Sequence, residues 1–245
     1  MKQAVSNTIN GSLQKAGGVA ALIAAAAFLA AIVFMLTAIA PSGYGSLDIS
    51  AVQNATFLAG NQTILYLWNL ISYVVFGIVL VVLALALYDR LKDRSSATVQ
   101  AATAFGLIWA GLMFASGMVA NIGAGVVVDV YSQDPSQAGA VWLALHFVVD
   151  GLGGGNEIVG GLWVLLLSWA GLRSGGLPRL LAYLGLLIGA AGFVTVIPAL
   201  GDVGALFGLG SIAWFVWVGI ALLRSNPGSA AAKADVLAPR HSAAA

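Results

Sequence analysis

Long apolar runs separated by short polar breaks fill most of this chain and constrain its fold more than any other feature. A helix needs about 20 apolar residues to cross the hydrocarbon core of a bilayer, and runs of about that length recur from Val19 to Leu223. These runs predict an all-α fold, a polytopic membrane helical bundle with six transmembrane helices. The predicted spans are residues 19–40, 64–88, 99–128, 158–172, 180–200 and 204–223.

Composition leaves no room for a separate soluble domain. Hydrophobic residues make up 60% of the 245 residues and charged residues only 8%, whereas soluble domains are about one-quarter charged. We predict a cytoplasmic N-terminal segment at 1–17, an integral-membrane domain at 18–224 and a disordered, Ala/Ser/Pro-rich cytoplasmic tail at 225–245. The first apolar run is too long for a signal-peptide core, so we expect it to be retained. Without cysteine, the chain has no disulfide or thiolate site.

The placement of charge predicts the orientation of the spans. With six crossings and both termini in the cytoplasm, all ten basic residues fall on the cytoplasmic side, as the positive-inside rule requires; they are Lys2, Lys15, Arg90, Lys92, Arg94, Arg173, Arg179, Arg224, Lys233 and Arg240. The opposite ends carry only acids, at Asp48, Asp129, Asp134, Asp150, Glu157 and Asp202. We therefore predict a multi-pass protein of the inner (plasma) membrane with the N-in/C-in arrangement.

Two segments are predicted to be short extracytoplasmic connecting helices. Asp134 followed by Pro135 is a good helix start, but residues 135–150 would reach only about 24 Å, short of a hydrocarbon core of about 30 Å. A full crossing there would also move Arg173 and Arg179 to the outside. We expect an interfacial or partly inserted helix, and a second one at residues 48–59.

The turn LRSGGLPRLLAYLGLLIGAAGF, residues 172–193, resembles a signature of a bacterial integral-membrane family, domain of unknown function 4386. The N-terminal LQKAGGVAAL, residues 13–22, and the segment from Ser50 to Asp93 are also similar to that family. The resemblance extends over most of residues 13–224. It implies a polytopic helical membrane protein and supplies no catalytic residues.

The stretch ALHFVVDGLGGGNEIVGG, residues 144–161, holds the main candidate polar site: His146, Asp150, Asn156 and Glu157. Trp142, His146 and Asp150 share one helical face at a spacing of four residues. The functional interpretation is that His146 and Asp150 form a proton relay or provide two ligands of a metal, with Asn156 and Glu157 brought near by the glycine run. The alternative is a glycine-rich break between an outer helix and a span, where acids reach water. We favour the structural alternative, with no catalytic residue and no metal site.

Asn69 and Asn121 are the candidate polar residues inside predicted spans, and we expect them to form interhelical hydrogen bonds. GLLIG at 185–189 and GALFG at 204–208 are small-residue patterns that allow close helix packing. Such patterns suit either a tight last hairpin or a homo-oligomer contact, and the sequence does not choose between them.

Missing motifs limit the possible functions. No lysine lies within a predicted span, no second histidine lies near the membrane, and the chain has neither a G-x-S-x-G nor an H-E-x-x-H motif. We predict a non-enzymatic membrane protein without a cofactor, which binds lipid, a small hydrophobic ligand or a partner membrane protein and binds no nucleic acid. A small-molecule transporter with a polar intramembrane cavity is the alternative. An intramembrane enzyme using His146, Asp150 and Glu157 comes third.

Overall fold

The computed structural model describes residues 2–93, 96–154 and 157–224, and every regular element in these ranges is helical. The predicted all-α fold is confirmed. The α-helices are α1 (Lys2–Phe34), α2 (Ala40–Ser42), α3 (Ala51–Gly60), α4 (Gln62–Asn69), α5 (Phe76–Leu91), α6 (Ser96–Tyr131), α7 (Pro135–Val149), α8 (Ile158–Ser174), α9 (Arg179–Val194) and α10 (Gly204–Arg224). Wider π-helical turns occupy Met35–Ile39, Leu70–Val75 and Asp150–Gly154, and a 3₁₀ turn occupies Pro198–Val203.

Five helical segments in the described ranges are long and apolar enough to cross a membrane: Gly11–Ser42, Gln62–Leu91, Ala97–Tyr131, Pro135–Ser174 and Pro198–Arg224. The remaining apolar helix, α9, has 16 residues. It is shorter than the predicted span at 180–200 because Thr195 turns back on Gly192 through its hydroxyl and Pro198 follows three residues later. The number of crossings and their orientation stay predictions.

Six helices form a closed ring in one half of the molecule. Helix α1 contacts α5 and α10, α10 contacts α9, α9 contacts α8, and α6 joins α8 to α5. Aromatic rings fill the interior of this ring, with centroid separations of 5.1 Å between Phe76 and Trp109, 5.8 Å between Trp109 and Trp163, and 5.5 Å between Trp163 and Trp214. Such buried rings form a solid hydrophobic core.

The described basic side chains gather at one end of this ring, which we call the basic end. Arg90 donates from Nε to the Gly176 carbonyl at 3.0 Å and from an Nη to Gln14 Oε1 at 3.3 Å, so α1, α5 and the α8–α9 turn meet there. The basic residues at this end within the described ranges are Lys15, Arg90, Lys92, Arg173, Arg179 and Arg224. The opposite, acidic end carries Asp48, Asp129 and Asp134.

Helices α7 and α8 run antiparallel to α6 along its whole length, one after the other. Gly123 of α6 lies against Leu145, Met113 against Gly153, and Gly106 against Trp163. Helix α7 therefore lies along α6 instead of across it, which is closer to a partly inserted helix than to an interfacial one. The predicted helix start is confirmed, because Asp134 Oδ1 accepts from the backbone N–H groups of Ser136 and Gln137.

The last two helices are only half as tall as α6. Helix α6 has 36 residues, or about 54 Å at 1.5 Å per residue, whereas α9 ends where the Glu157 N–H donates to Thr195 Oγ1. Beyond that level, the described helices that continue toward the acidic end are the end of α1, α4, α6 and α7, together with the short α2 and α3. The connecting helix α3 packs against α6 and α7 there; it begins at the Ser50 capping box with Gln53, two residues after the predicted start at Asp48.

Candidate functional site

A cavity of about 350 Å³ lies in the acidic half of the molecule, above the solid ring. It lies between the end of α1, α4, α6 and α7, with the α2–α3 connection over it. Ala120, Gly123, Ala124 and Val127 form its α6 wall. Most of the lining is apolar; the side chains with polar atoms are Tyr44, Trp68, Asn69, Tyr73, Trp142, His146 and Asp150. Two groups of predicted polar residues, far apart in sequence, thus meet in one cavity.

Helix α7 supplies the wall that contains His146 and Asp150. The predicted shared face is present: the Trp142 and His146 rings stack at a centroid separation of 4.8 Å, and His146 Nε2 lies 3.4 Å from Asp150 Oδ2. Both polar side chains face the cavity. The His146 side chain is 20% exposed and that of Asp150 40% exposed. The His146 imidazole is therefore held between the Trp142 indole and the Asp150 carboxylate, an arrangement that fixes its orientation.

The side of the cavity nearest the six-helix ring is polar because the side-chain amides of two helices form a hydrogen bond there. Asn69 Nδ2 donates to Asn121 Oδ1 at 3.0 Å, which joins α4 to α6 and agrees with the expected interhelical hydrogen bond. Asn69 is 8% exposed and lines the cavity, whereas Asn121 lies behind it. Tyr73 packs against Gly117, and the Trp68 and Tyr73 rings meet edge to face at 6.2 Å. Two aromatic side chains and one amide therefore form this side.

The connection between α2 and α3 covers the cavity at the acidic end. Tyr44 Oη accepts a long hydrogen bond of 3.4 Å from Trp142 Nε1, and burial raises the pKa of the Tyr44 phenol while that bond lowers it. Asn54, fully buried, fixes the connection because its Oδ1 accepts from the Gly45 N–H at 2.8 Å and its Nδ2 donates to the Ser46 carbonyl at 3.1 Å. The cover is therefore tied to α3 by specific hydrogen bonds.

Three irregular turns border this one cavity. Met35 and Ile39 come from the first π-helical turn, Tyr73 from the second, and Asp150 from the third, which Gly153 breaks with a φ of 139°. A π-helical turn widens a helix at the cost of good hydrogen-bond geometry, and such turns are frequent at functional sites. Their concentration around the cavity favours a binding role for it.

The cavity has an open side above the short last hairpin. Helices α9 and α10 stand between α1 and α8 in the ring but do not extend into the acidic half. Above them, Met35 on the α1 side is 41% exposed and the Asp150 side chain on the α7 side is 40% exposed, and both residues line the cavity. The lining is thus reachable from this side of the bundle.

Glu157 lies apart from the cavity. Its backbone N–H donates to Thr195 Oγ1 at 3.1 Å and its side chain lies near Gly204, so it packs against the ends of α9 and α10. The structure brings His146 and Asp150 together but leaves Glu157 out of the lining. Asn156 lies outside the described residues. Among the residues that are described, no three His, Asp or Glu side chains lie close enough together to hold a metal ion.

A family model described as Domain of unknown function (DUF4386) matches residues 18–224, from within α1 to the end of α10. The chain belongs to this family. No curated protein and no solved structure matches the DUF4386 chain.

Sequence reasoning missed several of the residues that line the cavity of this DUF4386 protein. Tyr44, Trp68 and Tyr73 were not singled out because apolar spans are rich in aromatic residues and their spacing does not show which ones face a cavity. The π-helical turn at Leu70–Val75 has no motif in the sequence. The sequence did contain one usable signal. Trp68 directly precedes the candidate polar residue Asn69, which indicated the part of α4 that lines the cavity.

Proposed function

We propose that this membrane protein binds a small, mostly apolar molecule in the cavity and performs no chemistry on it. The observation that carries the proposal is the convergence of Asn69, His146 and Asp150 on one cavity whose other lining is aliphatic and aromatic. Small-molecule sites have this character: a concave, largely apolar surface with a few polar groups that fix orientation. The volume of about 350 Å³ suits a small organic molecule.

We further propose six crossings in the inner (plasma) membrane, with both termini in the cytoplasm. The common position of Lys15, Arg90, Lys92, Arg173, Arg179 and Arg224 at the basic end supports this orientation, because basic residues flank spans on the cytoplasmic side. Under this arrangement the basic end faces the cytoplasm, and α9 ends near the outer boundary of the hydrocarbon core. The cavity then lies toward the outer face.

A binding role fits the chemistry of the lining better than catalysis does. A general acid or base must come within hydrogen-bond reach of its partner in the site, and Glu157 packs against α9 and α10 instead of lining the cavity. His146 and Asp150 remain, and the contact between them is of a kind that commonly orients an imidazole. We therefore rank the intramembrane enzyme last.

A transporter is the second candidate, and one observation favours it. The turn Asp150–Gly154, which continues from α7, breaks at Gly153, beside the cavity. Transporters place their substrate sites at broken helices of this kind. This candidate differs from a simple binding protein in a single respect, which is that the bound molecule would leave on the other side of the membrane.

The cavity can be tested by filling it. We would measure saturable binding of 4-fluorobenzyl alcohol to the protein in nanodiscs by ¹⁹F NMR. The variant Ala120→Phe places a ring in the cavity, whereas the matched control Ala104→Phe adds the same ring to an exposed face of α6. We expect Ala120→Phe to abolish the saturable component and Ala104→Phe to retain it. Equal binding by both folded variants would rule out the cavity as the site.

Transport is a separate measurement. Protein reconstituted in vesicles should accumulate or release 4-fluorobenzyltrimethylammonium, which crosses bilayers slowly on its own, if the cavity opens to both sides in turn. A flux that Ala120→Phe removes would favour the transporter. A probe that binds but shows no protein-dependent flux would favour the binding protein.

A further inference from the structure

Four aromatic side chains from different parts of the chain surround the cavity. Tyr44, Trp68, Tyr73 and Trp142 come from the α2–α3 connection, α4, the second π-helical turn and α7. Neighbouring rings hold both indoles in place: Trp68 stacks on Phe34 at 5.9 Å and Trp142 stacks on His146 at 4.8 Å. The faces of aromatic rings attract cations, most strongly for indole. A set of fixed rings of this kind is suited to a positively charged group.

The charge of the lining points the same way. Among the described residues, Asp150 is the acid of the lining, and no lysine or arginine belongs to the lining. The basic side chains of the described ranges lie at the other end of the molecule, beyond the solid ring. His146 can offset the carboxylate only when it is protonated. An anionic ligand would therefore meet a carboxylate without any fixed positive charge to hold it, whereas a cation would meet a carboxylate and ring faces.

The position of Asp150 gives a cation a route to the carboxylate. The Asp150 side chain is partly exposed and lines the cavity, as does Met35, on the side that α9 and α10 leave open. Its Oδ2 faces His146 on the cavity wall. A ligand that enters from this side meets the acid first, and its apolar part can then lie against Leu58, Leu65 and Val127 further in.

We propose that the ligand is a hydrophobic organic cation, with its charged nitrogen held by the Asp150 carboxylate and the surrounding rings and its apolar part in the interior of the cavity. This inference rests on the proposed binding function and names its ligand class. The cationic nitrogen could belong to a free molecule or to the ammonium headgroup of a lipid. Both sources present the same chemistry to the site.

The test compares two probes of the same shape. One is 4-fluorobenzyltrimethylammonium, and the other is its neutral carbon isostere, 1-fluoro-4-(2,2-dimethylpropyl)benzene. Each is titrated by ¹⁹F NMR against the wild-type protein and Asp150→Asn in identical nanodiscs, so that partition into the bilayer cancels in the ratio. We expect Asp150→Asn to weaken cation binding about tenfold, or about 1.4 kcal/mol, and to change binding of the neutral probe by less than about twofold.

Two further variants make the test specific. Asp129→Asn removes the same charge from an exposed position outside the lining, and it should leave the cation affinity unchanged. Trp68→Leu keeps an apolar wall but removes a ring face, and it should weaken the cation about threefold more than the neutral probe. Trp68→Leu also keeps the inference testable if Asp150→Asn does not fold.

The outcomes separate the two proposals. If the two probes bind with the same affinity and respond alike to Asp150→Asn and Trp68→Leu, the inference is wrong while the proposed function stands. If neither probe shows a saturable component that Ala120→Phe removes, the proposed function itself fails.

Nanodiscs of phosphatidylglycerol alone, compared with discs that also contain phosphatidylethanolamine, identify the source of the cationic ligand. Competition by the second lipid indicates a headgroup ligand, and its absence indicates a free cation.

Discussion

The contact between α8 and α9 leads to a prediction about stability. Glycine-to-alanine substitution should destabilise the protein at this contact and should not do so at a glycine outside it. Both helices present glycine where they meet. A Cβ added to Gly161 would lie 2.5 Å from the Phe193 backbone nitrogen, and one added to Gly189 would lie 2.7 Å from the Leu165 nitrogen. These neighbours are backbone atoms, which cannot rotate away. A Cβ added to Gly208 of α10 would have no atom of the described residues within 4 Å.

The expected free energies of unfolding follow from this geometry. Replacing glycine by alanine in a helix gains up to about 1 kcal/mol. At Gly161 and Gly189, α8 and α9 must separate by about 1 Å, and overpacking of this kind costs about 1–3 kcal/mol. We expect a net loss of up to about 2 kcal/mol at each of these positions. At Gly208 we expect no loss and up to about 1 kcal/mol of gain.

The double variant tests the mechanism. A Cβ on Gly161 approaches the Gly189 carbonyl oxygen at 2.8 Å, and a Cβ on Gly189 approaches the Gly161 carbonyl oxygen at 2.8 Å. Both substitutions thus force the same separation of the helices, so their effects should be less than additive. Reversible unfolding in mixed micelles, followed by tryptophan fluorescence, gives the free energies. A gain in stability for Gly161→Ala or Gly189→Ala similar to that of Gly208→Ala would refute the close backbone contact.

Three other predictions concern the acidic half and the orientation. In a double-mutant cycle with Asn69→Ala and Asn121→Ala, the coupling energy in the same unfolding assay should be about 0.6–2 kcal/mol; a coupling near zero would exclude the amide pair as a stabilising contact. Asp134→Ala should destabilise the protein by about 1 kcal/mol because α7 loses its N-terminal cap, and Asp134→Ser should restore most of that loss. A reporter fused after Arg224 should be active in the cytoplasm, and a periplasmic signal would overturn the six-crossing arrangement.

The helices could be predicted because their signals are local. Apolar runs ended at charged or proline-containing breaks, and the start of α7 at Asp134 and Pro135 followed from capping chemistry. The spacing of Trp142, His146 and Asp150 correctly indicated a shared face, since helical geometry alone determines it. The family resemblance is also confirmed, by the match over residues 18–224.

The cavity could not be predicted because it depends on how far each helix extends past its neighbours. The predicted span at 180–200 extends past the end of α9 at Val194, and the sequence did not show that α6 and α7 continue beyond that level. Charge placement did not show whether His146 and Asp150 face the interior. The positive-inside rule is satisfied equally by an acid at the membrane interface and by an acid that lines a cavity. The π-helical turns arise from tertiary packing and leave no periodic signal.

The small-residue patterns were predicted without a choice between an internal and an intermolecular contact. Gly185 lies against Ser168 and Gly189 against Leu165, so the pattern at 185–189 is used inside the chain, between α9 and α8. Gly208 meets nothing within 4 Å, although Gly204 lies near Thr195 and Glu157. In the second pattern, only Gly204 therefore makes a close contact within the described part of the chain.

For the proposed ligand, the half-height last hairpin bears on the phase from which the molecule would reach the cavity. Because α9 ends near Thr195 while α6 continues to Tyr131, the entrance between Met35 and Asp150 opens sideways, above the hairpin. A molecule that partitions into the outer interfacial layer of the bilayer would reach an entrance at this level by two-dimensional diffusion, from a reservoir far more concentrated than the surrounding water. The apparent affinity would then increase with the lipid–water partition coefficient of the ligand, and aqueous titrations would rank ligands by their solubility in lipid as well as by their fit.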